Sequence, residues 1–221
     1  MGKFYESKFY QYALLAFELM KLNVVAVVCS LPVVTIGAVW TGMYAAVSEL
    51  SNDSGSTVKN FFTGFKKNFL RSTLHWLLLL LFFVLSAADL YVLNVTPDGE
   101  ISKAAVIAPL IISFFAFLAG GFLFPLINIF KAPFMQTIRI CVVFSVKYFL
   151  RSFFVLFLNL IPFILLYFNT SIFMSVIPLW VLIAFALIAY INCRVIRPVI
   201  DEINALLEEE SEENEAAVKK Q

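Results

Sequence analysis

The distribution of apolar residues divides the chain into paired segments, each long enough to cross a membrane. The first apolar stretch runs from Leu14 to Leu50 and is interrupted at Pro32. It is too long for one crossing, which needs about 20 apolar residues. Proline cannot donate to a helix ladder, and it moves the residue before it out of the helical region. The pattern therefore predicts a hairpin over residues 14–50, with its turn at Leu31 and Pro32.

Two further hairpins follow the same plan. They are predicted over residues 74–130 and 150–193, each with a short polar turn between two apolar helices. A basic amphipathic segment rich in aromatic residues precedes each hairpin, and this combination is typical of a membrane interface. The sequence thus predicts an all-α, polytopic integral membrane protein with six membrane segments. Four full crossings with a re-entrant first hairpin are the alternative.

Composition and charge support this division. Hydrophobic residues make up 62% of the 221-residue chain, and the mean hydropathy is +0.91; in soluble proteins about 45–50% of residues are apolar. The net charge of +1 conceals a segregation, because eight acidic residues and no basic one lie between Asp201 and Glu215. We predict a membrane domain over residues 1–198 and an acidic cytoplasmic tail over residues 199–221.

An internal repeat is predicted within the membrane domain. The hexapeptide Lys67–Ser72 matches Lys147–Ser152 at all positions except the second. Each copy opens a crossing helix that turns and returns through a proline-bearing helix to an Ile–Asn pair. The first hairpin is interpreted as a degenerate third copy.

The basic residues set the expected orientation. With six membrane segments, the four basic clusters at residues 3–21, 59–71, 131–151 and 194–197 fall on one side of the membrane. Loops that carry Lys and Arg are retained in the cytoplasm. We therefore expect a multi-pass plasma-membrane protein with both termini in the cytoplasm, and the re-entrant alternative has the same orientation.

The chain offers little that resembles a catalytic or metal-binding site. His75 is the only histidine, and the three cysteines match no metal-binding spacing. The sequence contains no phosphate-binding loop, dinucleotide fingerprint or nucleophile elbow. We predict a non-enzymatic protein with no metal, no cofactor and no nucleic-acid partner. Candidates for a function inside the membrane are the polar residues Asp89, Asn128 and Asn159, because polar groups within a bilayer are costly.

The first hairpin and the segment after it resemble a known family. The core LPVVTIGAVWTGMYAAV (Leu31–Val47), the segment NFFTGFKKNF (Asn60–Phe69) and the leucine-rich crossing that ends near Asp89 are similar to the YesL-like family. These are small bacterial membrane proteins of unknown function. Beyond Asp89 the resemblance rests on hydropathy and on the final helix with its basic flank. The motif implies a structural hinge formed by Leu31, Pro32, Thr35, Ile36 and Gly37.

Aromatic and basic residues supply the candidate contact surface. The resemblance implies that the phenylalanines and Lys67 of the second motif form a segment that accompanies the hinge. The basic pairs in the two hexapeptides have i,i+4 spacing, which places each pair on one face of its helix. These pairs are interpreted either as lipid-phosphate contacts or as a docking surface for another subunit. The candidate partner or lipid contacts are Phe61, Phe65, Lys67, Phe69, Arg71, Lys147, Phe149 and Arg151.

The resemblance also implies a cellular context. Members are commonly encoded beside bacterial carbohydrate ABC importers and glycoside hydrolases, and the family offers no catalytic residues. This chain lacks the coupling-helix signature of a sugar permease. We therefore predict a non-catalytic accessory subunit in the bacterial plasma membrane. It would bind the permease subunits and, through them, the ATPase and the sugar-binding lipoprotein. An autonomous small transporter or channel is the alternative, and a membrane enzyme ranks last.

Overall fold

A computed structural model describes residues 8–50, 56–95, 103–130 and 132–218. Within these ranges the regular structure is helical. The helices, numbered in chain order, are α1 (Lys8–Cys29), α2 (Ile36–Leu50), α3 (Thr57–Val95), α4 (Lys103–Ile129), α5 (Phe134–Lys147), α6 (Phe149–Phe168), α7 (Thr170–Leu179) and α8 (Phe185–Val218). A 3-10 turn (Val33–Thr35) precedes α2, and a π-helical turn (Trp180–Ala184) joins α7 to α8.

Within the described residues, six segments are long and apolar enough to cross a membrane. By length and composition they are Lys8–Cys29, Val33–Leu50, Thr57–Val92, Ile107–Ile129, Phe149–Phe168 and Thr170–Leu206. Large apolar side chains such as Phe83 and Leu150 are exposed on their outer faces, as expected for contact with lipid. The predicted all-α, multi-pass membrane architecture is confirmed.

The basic segment before the second hairpin is not a separate element. It is the beginning of α3, which runs without a break through 39 residues. The sequence between Gly64 and Val95 contains neither proline nor glycine, so nothing in it ends the helix. At 1.5 Å per residue α3 is about 58 Å long, well beyond the roughly 30 Å of a bilayer's hydrocarbon core.

The first hairpin accompanies only the first half of α3. The indole Nε1 of Trp76 donates to the carbonyl of Val33 at 2.8 Å, so the 3-10 turn lies level with the middle of α3. From Leu77 to Val95 the helix continues past the hairpin. The turn of the hairpin therefore lies well before the far end of α3.

Close backbone approach joins α2 to α3. A Cβ atom on Gly64 would lie 2.4 Å from the Cβ atom of Ala45, and one on Gly42 would lie 2.9 Å from the carbonyl oxygen of Phe61. These distances leave no room for a methyl group, so the two helices meet through small residues, as membrane helices often do. Consequently α2 is the most enclosed helix of the bundle, buried from Gly37 to Val47 except at Trp40.

The last helix crosses the predicted domain boundary. Although Pro198 lies within it, α8 continues from Phe185 to Val218. Val199 and Ile203 are buried in the core, where they extend the apolar face that begins in the membrane segment. The first turns of the expected tail therefore pack with the membrane domain.

The structure does not show the predicted repeat. Helix α3 passes straight through Lys67–Ser72. The matching hexapeptide Lys147–Ser152 instead spans the junction between α5 and α6, where Tyr148 leaves the helical conformation with φ −108° and ψ 46°. The two similar hexapeptides thus have different local structures.

Candidate functional site

The predicted hinge forms a closed turn. The hydroxyl of Thr35 donates to the carbonyls of Cys29 and Pro32, at 2.6 and 2.7 Å, and so ties the end of α1 to the 3-10 turn. Leu31 is 79% exposed at the tip. Ile36 begins α2, and Gly37 is buried where α2 touches α3. The five residues therefore lie together, held by hydrogen bonds.

The predicted contact residues on α3 separate into an inner and an outer set. Phe61 is fully buried against α2, so the prediction that it meets lipid or a partner is wrong. Phe65 is half-buried and stacks between Phe61 and Phe69, with ring centroids 5.8 and 5.4 Å apart. Lys67 and Phe69 are exposed. Of these four predicted contact residues, Lys67 and Phe69 are the ones exposed to outside contacts.

Arg71 holds two helix ends together instead of facing outward. Its guanidinium donates from Nη1 to the carbonyl of Phe130 and from Nη2 to Oγ1 of Thr137, both at 2.5 Å. The carbonyl belongs to the C-terminal end of α4, where a positive charge is favourable. Beside it, the ring of His75 packs on the ring of Phe134, and the two ring centroids are 4.2 Å apart. Arg71 is therefore a structural clamp on the α4–α5 connection.

We expect Arg71→Gln to lower the free energy of unfolding by about 2 kcal/mol, because a hydrogen bond from a charged group contributes about 1.5–3 kcal/mol. The matched variant is Lys67→Gln, one helical turn earlier and exposed. Its effect should stay within about 0.5 kcal/mol. Thermal unfolding of both purified variants in mild detergent measures the difference, and equal effects would contradict the clamp.

The second basic pair, Lys147 and Arg151, also makes contacts within the protein. Lys147 and the hydroxyl of Tyr148 both donate to the carboxylate of Glu202 on α8. This hydrogen bond raises the pKa of Lys147. Arg151 is half-buried, with its guanidinium 5.3 Å from the ring centroid of Tyr148. Phe149 is exposed and so remains available for an outside contact.

The three candidate intramembrane residues do not form one site. Asn159 donates from Nδ2 to the carbonyl of Val155 on its own helix, at 2.7 Å. Asn128 is half-buried near the end of α4, close to the Arg71 clamp. Asp89 lies 18 residues beyond Arg71 on α3, about 27 Å further along the helix. One carboxylate oxygen of Asp89 is buried without a hydrogen-bond partner in the described part of the chain.

A fourth polar residue, which sequence analysis missed, occupies the interior. Asn23 of α1 is fully buried. Its Nδ2 donates to the carbonyls of Trp180 and Val181 at 2.8 and 2.7 Å, and its Oδ1 accepts from the backbone N–H of Ala186 at 2.8 Å. A π-helical turn displaces backbone groups from the α-helical ladder. The amide of Asn23 binds them and fastens α1 to the last helix.

Two further polar pairs tie helices across the interior. The hydroxyls of Thr41 and Ser72 lie 2.8 Å apart between α2 and α3. Nδ2 of Asn192 on α8 donates to the hydroxyl of Tyr44 on α2 at 3.2 Å. All four side chains are buried. Together with Asn23, they connect each helix of the first hairpin to a later helix.

A groove opens sideways between α1, the start of α3 and the π-helical turn. Its volume is about 380 Å³, and its lining residues are Met20, Lys21, Val24, Val25, Val58 and Leu182. The one charged lining residue, Lys21, donates to Glu18 at 2.6 Å. The walls are apolar, so the groove suits an acyl chain better than a sugar. In the described ranges no three His, Cys, Asp or Glu side chains are grouped so that they could hold a metal ion.

Comparison with known proteins covers the same hairpin and the helix after it. Residues 19–90 match the model of a family described as "Protein of unknown function, DUF624". The match includes Asn23, the closed turn, α2 and most of α3. It supports a family of unknown function over this third of the chain. No curated protein and no solved structure matches the chain.

Proposed function

We propose that this chain is a non-catalytic accessory subunit of a bacterial carbohydrate ABC importer, which binds the permease subunits and aids their assembly, stability or regulation. The proposal combines the YesL-like resemblance with the way the interior is built. The ATPase and the sugar-binding lipoprotein would be reached through the permease. Both termini are placed in the cytoplasm on the distribution of Lys and Arg.

The observation that carries the proposal is the use of buried polar groups. The side chains of Asn23, Thr41 and Asn192 bond to other helices, and Gly42 and Gly64 bring α2 against α3 with no room for a methyl group. Polar groups along a solute path would instead face an open lumen. A bundle fastened in this way suits a role exerted through contacts with neighbouring proteins.

The extension of α8 supplies a further surface for such contacts. Val199 and Ile203 pack in the core, and Glu202 is bonded to the end of α5 and to Tyr148 just after it, so the helix leaves the membrane domain in a fixed direction. It continues to Val218 through a sequence that is rich in glutamate and contains no basic residue. A helix that carries this charge complements a basic surface on a partner.

An autonomous transporter or channel is the second candidate. The π-helical turn and the prolines within α4, α6 and α7 favour it, because interrupted helices recur around transporter binding sites. Uptake of a labelled oligosaccharide by liposomes that contain this chain alone would support it.

The deciding experiment is a pull-down of the tagged chain from its native membrane in mild detergent, followed by mass spectrometry. We expect two sugar-type permease subunits and their ATPase. Recovery of the chain alone, or only as a self-oligomer, would contradict the accessory role.

A pair of double variants tests the contact surface. Phe69→Ala with Phe149→Ala should lower permease recovery about tenfold, because an important interface aromatic contributes 1 kcal/mol or more. The matched control is Phe83→Ala with Phe163→Ala. These phenylalanines are also exposed but lie towards the opposite ends of α3 and α6, and their loss should leave recovery unchanged. If both double variants bind permease equally well, the contact surface is elsewhere.

A further inference from the structure

Helix α5 is short and carries several apolar residues on its exposed side. It has 14 residues, a length of about 21 Å, which is too short to cross a bilayer. Its inner side buries Thr137, Cys141, Phe144 and Ser145. Its outer side carries a row of exposed residues at the spacing of one helix face, here named the outer stripe. The outer stripe consists of Met135, Arg139, Val142, Val143 and Val146.

The outer stripe is not the kind of surface that water favours. A helix on the surface of a soluble protein turns its apolar face to the core and its polar face outward. The four apolar residues of the outer stripe are instead 46–67% exposed. Apolar side chains on a short helix are stabilised when they enter the boundary between headgroups and acyl chains. The surroundings of the outer stripe are therefore expected to be lipid.

The start of the neighbouring helix also indicates that lipid surrounds the outer stripe. One residue, Tyr148, separates α5 from α6, which is among the candidate membrane spans. Leu150 and Phe153 at the start of α6 are exposed. The outer stripe thus continues a surface that is expected to face lipid.

The basic residues around α5 favour an anionic lipid. Residues 131–151 contain four basic residues and no acidic one. Lys147 is engaged by Glu202, whereas Arg139 lies exposed on the outer stripe. A basic residue near an anionic leaflet contributes about 1 kcal/mol. Arg139 is therefore the residue best placed to contact a lipid phosphate.

We propose that α5 lies in the plane of the membrane interface, where the outer stripe enters the lipid and Arg139 binds the headgroup of an anionic phospholipid. Arg71 fixes the N-terminal end of α5 through Thr137. The depth of α5 in the leaflet is thereby linked to the position of α3. The proposal does not depend on the permease-binding function.

The first test places a fluorophore on the outer stripe. The full-length chain carries Val143→Cys, with Cys29→Ser and Cys193→Ser, and is labelled with an environment-sensitive dye in phosphatidylcholine–phosphatidylglycerol nanodiscs. Native Cys141 is retained, because burial raises the pKa of its thiol to about 12 and keeps it unreactive. Leu81→Cys serves as the lipid-facing control. Labelled Glu208→Cys, on the extension of α8, is the water-facing control.

We expect blue-shifted emission from position 143 and strong quenching by lipids that carry a nitroxide near the headgroup. Red-shifted, unquenched emission like that of the water-facing control would overturn the proposal. Blue-shifted emission without quenching by lipid would overturn it as well, since the outer stripe would then be covered by protein. Val146→Cys repeats the measurement one helical turn later.

The second test examines the headgroup. Quenching at position 143 by nitroxide-labelled phosphatidylglycerol should exceed quenching by labelled phosphatidylcholine, with about fivefold local enrichment of the anionic lipid. Arg139→Gln should remove the difference and Arg139→Lys should keep it. If labelled phosphatidylglycerol and phosphatidylcholine quench the unsubstituted Arg139 protein equally, the anionic-lipid assignment is wrong.

Discussion

Replacing Asn23 by leucine is expected to lower the free energy of unfolding by about 2–3 kcal/mol. The change keeps the size of the side chain and removes three hydrogen bonds, two to the π-helical turn and one to the start of α8. Each hydrogen bond between membrane helices contributes about 0.6 kcal/mol on average and up to about 1.7 kcal/mol. The carbonyls of Trp180 and Val181 and the N–H of Ala186 would also lose their side-chain partner inside an apolar bundle.

Asn159→Leu is the matched control. It removes an amide of the same type from a membrane helix, but that amide bonds to Val155 on its own helix and ties no two helices together. We expect the control to change stability by less than about 1 kcal/mol. Steric trapping or thermal unfolding in mild detergent measures both variants. Equal losses for Asn23→Leu and Asn159→Leu would show that the contact between α1 and the last helix contributes no more to stability than a hydrogen bond within one helix.

Gly37→Ala should destabilise the chain by about 2–3 kcal/mol, although alanine is the better helix former. The added Cβ would lie 2.5 Å from the carbonyl oxygen of Ser72 and 2.5 Å from the Cβ of Trp76. Neither atom is the end of a flexible side chain, so α2 and α3 would have to move apart. Overpacking of this kind typically costs about 1–3 kcal/mol. Separation of the helices would also lengthen the bond between Thr41 and Ser72.

Gly120→Ala provides the comparison within the same protein. The atoms nearest to its Cβ would be the terminal methyl groups of Leu79, at 3.1 and 3.2 Å, and a leucine side chain can rotate away. The gain in helix propensity, about 1 kcal/mol, should then offset most of the cost. The two alanine variants are compared by the same unfolding measurement. A Gly37→Ala protein as stable as Gly120→Ala would contradict the close contact between α2 and α3.

The helical hairpins were predictable because they depend on a property that sequence displays directly. Apolar runs of membrane length separated by proline or polar turns allow few other structures. The break at Pro32 was located correctly for the same reason. The continuity of α3 was missed because the basic, aromatic composition of its first half resembles an interface segment, whereas helix continuity depends on the absence of a breaker after Gly64.

The direction in which a side chain points was harder to predict. Phe61 and Phe69 are alike in composition and lie in the same motif, yet one faces α2 and the other faces outward. Arg71 and Lys67 share a charge, and only the position of α4 decides that Arg71 is a clamp. The sequence gives only a weak indication of the role of Asn23, which is a lone amide within an apolar run. Its partners are backbone groups of a π-helical turn, and such a turn leaves no motif in the sequence.

The π-helical turn also determines which side of α8 faces the interior of the bundle. Each residue advances an α-helix by about 100°, and a turn with the wider π spacing changes the angular phase between the helices on either side. Asn192, Ile196 and Ile203 face the interior because the phase of α8 is set upstream. Because Asn23 bonds to this turn and to the start of α8, it helps to set the rotation of α8 about its own axis. By holding this turn, it helps to set the direction in which the end of α8 leaves the helix bundle.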